Sequence, residues 1–191
     1  MKRFLDFVIS LVMLILLSPL LCVISLMILA DDGGPVVFSQ ERVGRDEKLF
    51  RIYKFRTMKK NTRRSSTAGL TEAEEQITKS GRLLRKTSLD ELLQLVNVLN
   101  GSMSLVGPRP LIPEEEDIHA LRRQYQVYSV RPGITGYAQV NGRDNLSAEE
   151  KALFDKEYID KQSILFDIKI LIRTVLVVLR REDIKEGGEN Q

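Results

Sequence analysis

The chain has 191 residues, with 29 Lys and Arg against 26 Asp and Glu, for a formal net charge of +3. Its single cysteine and single histidine exclude an internal disulfide and argue against a zinc site, which draws on about four such ligands. Aromatics interleaved with basic residues in a recognised nucleic-acid motif are missing, so no nucleic-acid partner is expected.

The first element is an uncharged apolar run of 24 residues from Phe7 to Ala30, interrupted near its middle by Ser18-Pro19. At about 1.5 Å per helical residue it just reaches across a bilayer's hydrocarbon core. Pro19 has no N–H for the Ile15 carbonyl, and a Ser18 hydroxyl folded back onto a freed carbonyl would ease a break. Lys2 and Arg3 precede the run, and residues 42–64 carry ten Lys and Arg against Asp46 and Glu47. A helix that enters the bilayer, breaks at Ser18-Pro19 and returns keeps both basic flanks on the cytoplasmic side. A straight signal anchor with a tolerated proline is the other reading.

Val36–Phe38 and Leu49–Phe55 form a β-hairpin around Val43-Gly44-Arg45-Asp46, with Arg51, Tyr53 and Phe55 on one face of the second arm. Residues 60–80 are polar and read as a long surface loop. A helix follows from Leu89 to Leu99, stopped by Asn100-Gly101. Gly107-Pro108-Arg109-Pro110 and Arg131-Pro132-Gly133 are stiff turns, with a helix between them from Glu114 to Val127. Residues 147–162 form another helix. Ser163–Arg181 is a last helix that reads either as lying on the membrane plane or as part of the core. The chain therefore reads as mainly α with a small β-hairpin. Residues 1–31 form the membrane helix, 32–181 one cytosolic domain with interfacial helices, and 182–191 a flexible tail. His119 is expected at the surface.

Chemistry centres on Asp90-Glu91. Ser88-x-x-Glu91 before an apolar run is a capping box, and acids suit the first turn of a helix. The same adjacent acids suit Mg²⁺, which takes a carboxylate or two together with substrate phosphates. A Glu91 that binds metal cannot also close the box. Arg82 and Arg85 lie just upstream, and Arg109, Arg131 and Arg143 stand in turns stiffened by proline or glycine. Rigid guanidinium forks suit diphosphates.

Lys54-Phe55-Arg56-Thr57-Met58, Ser88-Leu89-Asp90-Glu91-Leu92, Gly107-Pro108-Arg109-Pro110, and Arg131-Pro132-Gly133-Ile134-Thr135-Gly136 through Gln139-Val140-Asn141-Gly142-Arg143 occur in this order. Together with the broken anchor, they resemble the bacterial sugar transferases, the monotopic phosphoglycosyl transferases, over residues 2–181. The resemblance is to the minimal catalytic unit of that family, without the transmembrane bundle of longer members. It implies transfer of a phosphosugar from a UDP-sugar to polyprenyl (undecaprenyl) phosphate at the cytoplasmic face of a bacterial inner membrane, with release of UMP. This would be a first membrane step of glycoconjugate assembly, at one leaflet and with a homo-oligomer possible. By the same resemblance Asp90 is the nucleophile and forms an aspartyl phosphosugar, and Asp90 and Glu91 hold Mg²⁺. Arg85, Arg109, Arg131, Arg143, Lys54 and Gln139 bind phosphates or shape the site. Tyr137, after Gly136, departs from the family pattern at a place that bears on substrate choice. A membrane-bound phosphodiesterase and a non-catalytic membrane-surface scaffold are the alternatives.

Overall fold

A computed structural model describes residues 1–60, 76–142 and 145–180. Helix α1 (Lys2–Asp32) runs without interruption through Pro19, so the expected break in secondary structure is absent. The Ile15 carbonyl, left without its Pro19 donor, accepts from Ser18 Oγ at 2.7 Å, and that bond lets the helix continue. Along α1, Asp6, Ser10, Leu14, Leu17, Leu21, Ile24 and Ile28 recur in steps of three and four and pack on the domain. The opposite face is apolar and bare, with Ile15 64%, Leu16 72% and Leu26 67% exposed. Among the described residues, α1 is the one helix long and apolar enough to cross a membrane, and an apolar face of this length is consistent with membrane association.

The hairpin joins β1 (Val37–Val43) to β2 (Leu49–Phe55), paired from Val37↔Phe55 to Val43↔Leu49. Both its faces are covered. Ile52 enters a core with Leu95, Val98, Met103, Val106, Tyr158 and Ile170, while Phe55 enters a second cluster with Ile24, Ile28 and Leu84. The polar 60–80 loop falls mostly on 61–75, outside the described residues. Its far end is more ordered than expected, since Ile77 bridges Met58 and helix α2 begins at Lys79 and runs to Lys86. Gly81 lets α2 press onto the end of the hairpin, because a Cβ there would stand 2.1 Å from the Thr57 carbonyl oxygen.

The expected Leu89–Leu99 helix divides into a 3₁₀ turn, Leu89–Leu93, and α3 (Gln94–Asn100), ended by Gly101 at φ 89°. The capping box at its start does not form. Ser88 sits in the left-handed region at φ 55° and makes no capping bond, and the Glu91 side chain is drawn away to Lys54 and Arg109.

A parallel pair, β3 (Ser104–Val106) with β4 (Gly133–Thr135), was not expected from the sequence. It brings the two proline turns together. A Cβ on Gly133 would meet the Gly107 nitrogen at 2.1 Å, and one on Gly136 the Gly107 oxygen at 2.2 Å, so these positions admit glycine alone. Helix α4 (Glu116–Gln124) is shorter than expected at both ends. His119 is buried, bonded to the Tyr128 hydroxyl and, through Nε2, to the Ile112 carbonyl at 2.8 Å, which corrects its expected surface position. Helix α5 (Ala148–Asp160) does open with a closed capping box, Ser147 with Glu150. Helix α6 (Ile164–Arg180) packs one face into the core, as one reading of the last element had it, and leaves the other bare. Asp167 and Ile170 are buried, while Leu165, Ile172 and Val175 stand bare on the outside.

Polar ties fasten both ends of α1 to the same domain. Lys2 pairs with Asp167, Arg3 Nη2 donates to the Leu99 carbonyl at 2.8 Å, and Asp6 accepts from Ser104 Oγ at 2.8 Å. At the far end Asp31 accepts from the Ser80 amide at 2.7 Å and Asp32 pairs with Arg56 at 3.1 Å.

Two outcomes test this description by chemical denaturation. Ser147→Ala removes a real cap and costs about 1 kcal/mol, whereas Ser88→Ala, with no bond to lose, costs a few tenths at most. Asp155→Ala leaves Arg122 buried and unpaired behind the Arg109 carbonyl, which it donates to at 2.8 Å. That change costs about 3–5 kcal/mol.

Candidate active site

Three segments converge on one carboxylate. Lys54, near the end of β2, places Nζ 2.7 Å from Glu91 Oε1, and Arg109 Nη2 reaches the same oxygen at 3.4 Å. The Glu91 side chain is 13% exposed and that of Lys54 18%, so their attraction is only partly screened. Arg109, at 41%, stands at the mouth of the site. Its backbone is fixed between two prolines, with the Pro108 carbonyl accepting from the Gly133 amide at 2.9 Å.

Asp90 lies beside Glu91 in the 3₁₀ turn. Burial pushes its carboxyl above the ordinary carboxylate range, and the charge of Glu91 pushes the same way, against the pull of Lys54 and Arg85. A carboxylate so perturbed beside cations in a cleft marks a candidate functional site. Arg85, in the last turn of α2, is oriented by a bond from Nε to Thr57 Oγ1 at 3.0 Å. The Lys54–Met58 run therefore serves the site twice, through Lys54 to Glu91 and through Thr57 to Arg85.

Beside the acids opens a cavity of about 500 Å³ between α1, the 3₁₀ turn, the β3–β4 pair and α6. Its walls are apolar, among them Ile9, Met13, Leu92, Leu105, Leu171 and Val175, with Ser88, Glu91 and Gln139 on its lining. Ser88 Oγ and Gln139 Oε1 are both buried there without a hydrogen-bond partner, while Gln139 Nε2 donates to the Ile134 carbonyl at 3.1 Å.

The remaining expected residues divide. Arg131 is not brought to this cluster. Its Nε donates to the Gly101 carbonyl at 2.8 Å, at the C-terminal end of α3, because the β3–β4 pairing carries the start of β4 toward that end. Arg143 lies outside the described residues. Tyr137 is a packing residue, its ring 5.5 Å from Phe154 and 5.1 Å from Phe166. The sequence reading passed over Arg42, whose guanidinium reaches under the Arg109 turn to the Pro110 carbonyl at 3.5 Å. The signal was present in the hairpin alternation, since Phe38 pairs with Lys54 and so places Gln40 and Arg42 on the Lys54 face.

Among the described residues, no group of three or more His, Cys, Asp and Glu could hold a metal. Two adjacent carboxylates, one of them already between cations, fit Mg²⁺ only in its usual mode, completed by phosphate oxygens and water.

A family model described as bacterial sugar transferase matches residues 1–181. Over 182 residues the chain is 44% identical to the UDP-glucose:undecaprenyl-phosphate glucose-1-phosphate transferase of Escherichia coli, covering 92% of this chain and 39% of that protein. It is 42% identical over 186 residues to the uncharacterized sugar transferase EpsL of Bacillus subtilis, covering 97% of this chain and 91% of that one. It is 40% identical over 197 residues to the undecaprenyl-phosphate galactose phosphotransferase of Salmonella typhimurium, covering 95% of this chain and 41% of that one. The chain thus spans about two fifths of the length of the Escherichia coli and Salmonella relatives. With the family's model matched across nearly all of its length, this chain belongs to the bacterial sugar transferases.

Proposed function

We propose that the chain transfers a phosphosugar from a UDP-sugar to polyprenyl phosphate, giving a polyprenyl diphosphate sugar and UMP. One observation carries the reading. The Asp90–Glu91 pair, ringed by Lys54, Arg85 and Arg109, lies at the edge of an apolar cavity walled partly by α1. Such a junction suits a reaction between a charged soluble diphosphate and a lipid phosphate, and the cavity has room for the first isoprene units. The name of the Escherichia coli relative gives UDP-glucose and undecaprenyl phosphate, and that of the Salmonella relative undecaprenyl phosphate and galactose, which supports this reading.

In the proposed course a carboxylate oxygen of Asp90 attacks the sugar-side phosphorus, the phosphoanhydride bond breaks, and its electron pair leaves with UMP. An oxygen of polyprenyl phosphate then attacks the same phosphorus. The bond to Asp90 breaks and the carboxylate is regenerated, with no net proton moved. Arg109 and Arg85 neutralise the diphosphate and hold it in line, and the apolar walls keep water from competing with the lipid. Glu91 and Asp90 would hold Mg²⁺, which supplies charge neutralisation at the departing phosphate.

The same reading takes α1 as re-entrant, bending at Ser18-Pro19 while staying helical so that it enters one leaflet and returns, with the domain on the cytoplasmic face of a bacterial inner membrane. Polar ties to one domain at both ends of the helix support this, since a straight span would carry either Lys2, Arg3 and Asp6 or Asp31 and Asp32 to the far side. Cysteines placed at Lys2 and Gly34 in a Cys22→Ser background should both resist an impermeant thiol reagent added outside intact cells and react after lysis. Outside labelling at one position only would establish a span.

The decisive assay is UMP release from a panel of UDP-sugars by detergent-purified protein with Mg²⁺, with and without polyprenyl phosphate. Release that needs the lipid is expected, while release indifferent to it would point to a hydrolase. Asp90→Asn should lower the rate by roughly three orders of magnitude or more. It should also raise thermal stability at neutral pH, because a carboxylate whose folded pKa lies above its unfolded value penalises the fold when ionised. The gain should shrink as pH falls from the raised folded value through the ordinary carboxylate range. A mutant with full activity would instead leave Asp90 and Glu91 as structural acids on a membrane-surface scaffold.

A further inference from the structure

Arg42 is held in the hairpin by groups that do not match its charge. Nη2 donates to the neutral Gln40 Oε1 at 2.9 Å, Nη1 to the Pro110 carbonyl at 3.5 Å, and Nε is buried with no partner. Among the described residues no carboxylate lies within salt-bridge distance of it. Its neighbour across the Pro110 turn is another guanidinium. The charge of Arg109, after burial itself, is the main influence holding the Arg42 pKa below its usual value, and the acids Glu115, Glu91 and Glu114 offset it only in part. Arg109 has Glu91 as its counter-ion at 3.4 Å, so the charge left without a matching anion is that of Arg42, and an anion bridging from Arg109 would relieve it.

We propose that Arg42 is a further substrate-binding residue, forming with Arg109 a two-fork cradle for the two phosphorus centres of a diphosphate. The geometry favours a diphosphate over a monophosphate. Each planar fork engages oxygens on one phosphorus, so a single phosphate held at Arg109, which already has Glu91 at 3.4 Å, leaves the charge of Arg42 without an anion. The bracing also fits. Gln40 and the Pro110 carbonyl each take one nitrogen of Arg42, which orders the fork before any ligand arrives, while the buried Nε keeps an unused donor. On the transferase reading, on which the identity of the natural ligand rests, this diphosphate belongs to the UDP-sugar.

The test is calorimetric titration of the full chain in non-ionic detergent with inorganic pyrophosphate and, separately, inorganic phosphate. Wild type should prefer pyrophosphate. Arg42→Gln should weaken pyrophosphate binding about tenfold to a hundredfold, the range for lost hydrogen bonds to a charged group, while leaving phosphate nearly unchanged. Arg42→Lys, which keeps the charge and loses the fork, should fall between. If Arg42→Gln does not fold, Arg42→Lys decides alone, and an undiminished preference for pyrophosphate overturns the proposal. Equal weakening toward both anions together with a lowered melting temperature would make Arg42 only a brace for the Pro110 turn. A wild type without preference overturns the cradle directly. The UMP assay keeps the two proposals apart. Lipid-dependent UMP release with an unchanged UDP-sugar KM in Arg42→Gln would sink the cradle and leave the transferase standing. Arg42-dependent pyrophosphate binding without UMP release from any sugar would do the reverse.

Discussion

The Glu91 carboxylate is the point on which the cleft depends. Through one oxygen it joins the end of the hairpin, by Lys54, to the proline-framed turn, by Arg109, and the backbone of Glu91 itself starts the segment leading into α3. Since that side chain is committed to two cations, it cannot turn back to cap its own helix. The segment accordingly begins as a 3₁₀ turn entered through a left-handed Ser88, an arrangement less favourable locally than a capped α-helix. The ion pairs are made where water is partly excluded, so they compensate more than a surface pair would. Lys54 and Arg109 meet Glu91 directly, Arg85 acts on Asp90, and Arg42 is left with only partial compensation from Glu115, Glu91 and Glu114.

A second constraint runs along the length of α1. Its inner stripe is spent on the domain, and its outer face, like that of α6, is apolar and bare. The two helices are tied by Lys2 and Asp167, and Tyr158 adds a hydroxyl to Asp167 at 2.8 Å and to the Val106 carbonyl at 3.1 Å. These buried polar contacts link the two helices with bare apolar faces to β3, whose partner strand continues into Gln139 and the cavity. The depth of the cleft relative to a lipid surface would thus be set by packing within one rigid unit. Attachment of a separate anchor through a linker would leave that depth loose.

What the sequence made legible followed its period and its punctuation. The strict alternation of Phe50–Arg56 foretold β2, the helix expected over 147–162 is α5 (Ala148–Asp160), and Asn100-Gly101 foretold the end of α3. Lys54, Asp90, Glu91, Arg85 and Arg109 were singled out in the sequence and lie near one another in the fold, while their roles rest on the family resemblance alone. The failures have physical causes of their own. Three-residue strands such as β3 and β4 are too short to show alternation, and their pairing rests on glycines that allow backbones to touch. The Ser88 box failed because the competitor for Glu91 lies 37 residues away in sequence, beyond any local rule. His119 was misplaced for a similar reason, since Tyr128 and Ile112, which satisfy both its ring nitrogens, become neighbours only on folding. At Pro19 the local chemistry was read correctly, but its consequence was overstated. A single serine bond was enough to keep the helix going.

Strain and uncompensated polarity are concentrated in one short stretch of the chain. Ser88 is left-handed, its hydroxyl is buried without a partner, and Asp90 is an acid whose ionised form burial disfavours. Each would be relieved by a simple change, a glycine at 88 or an amide at 90, so their persistence needs support from elsewhere. That support is near at hand. The Arg122–Asp155 pair lies behind the Arg109 carbonyl, Leu95 and Val98 anchor α3 in the core, and the Gly107–Gly133–Gly136 contact locks the opposite wall. A stretch strained in this way and held on three sides cannot relax without moving one of those supports. The unfavourable state of Asp90 is therefore maintained by the packing around it rather than by its own turn.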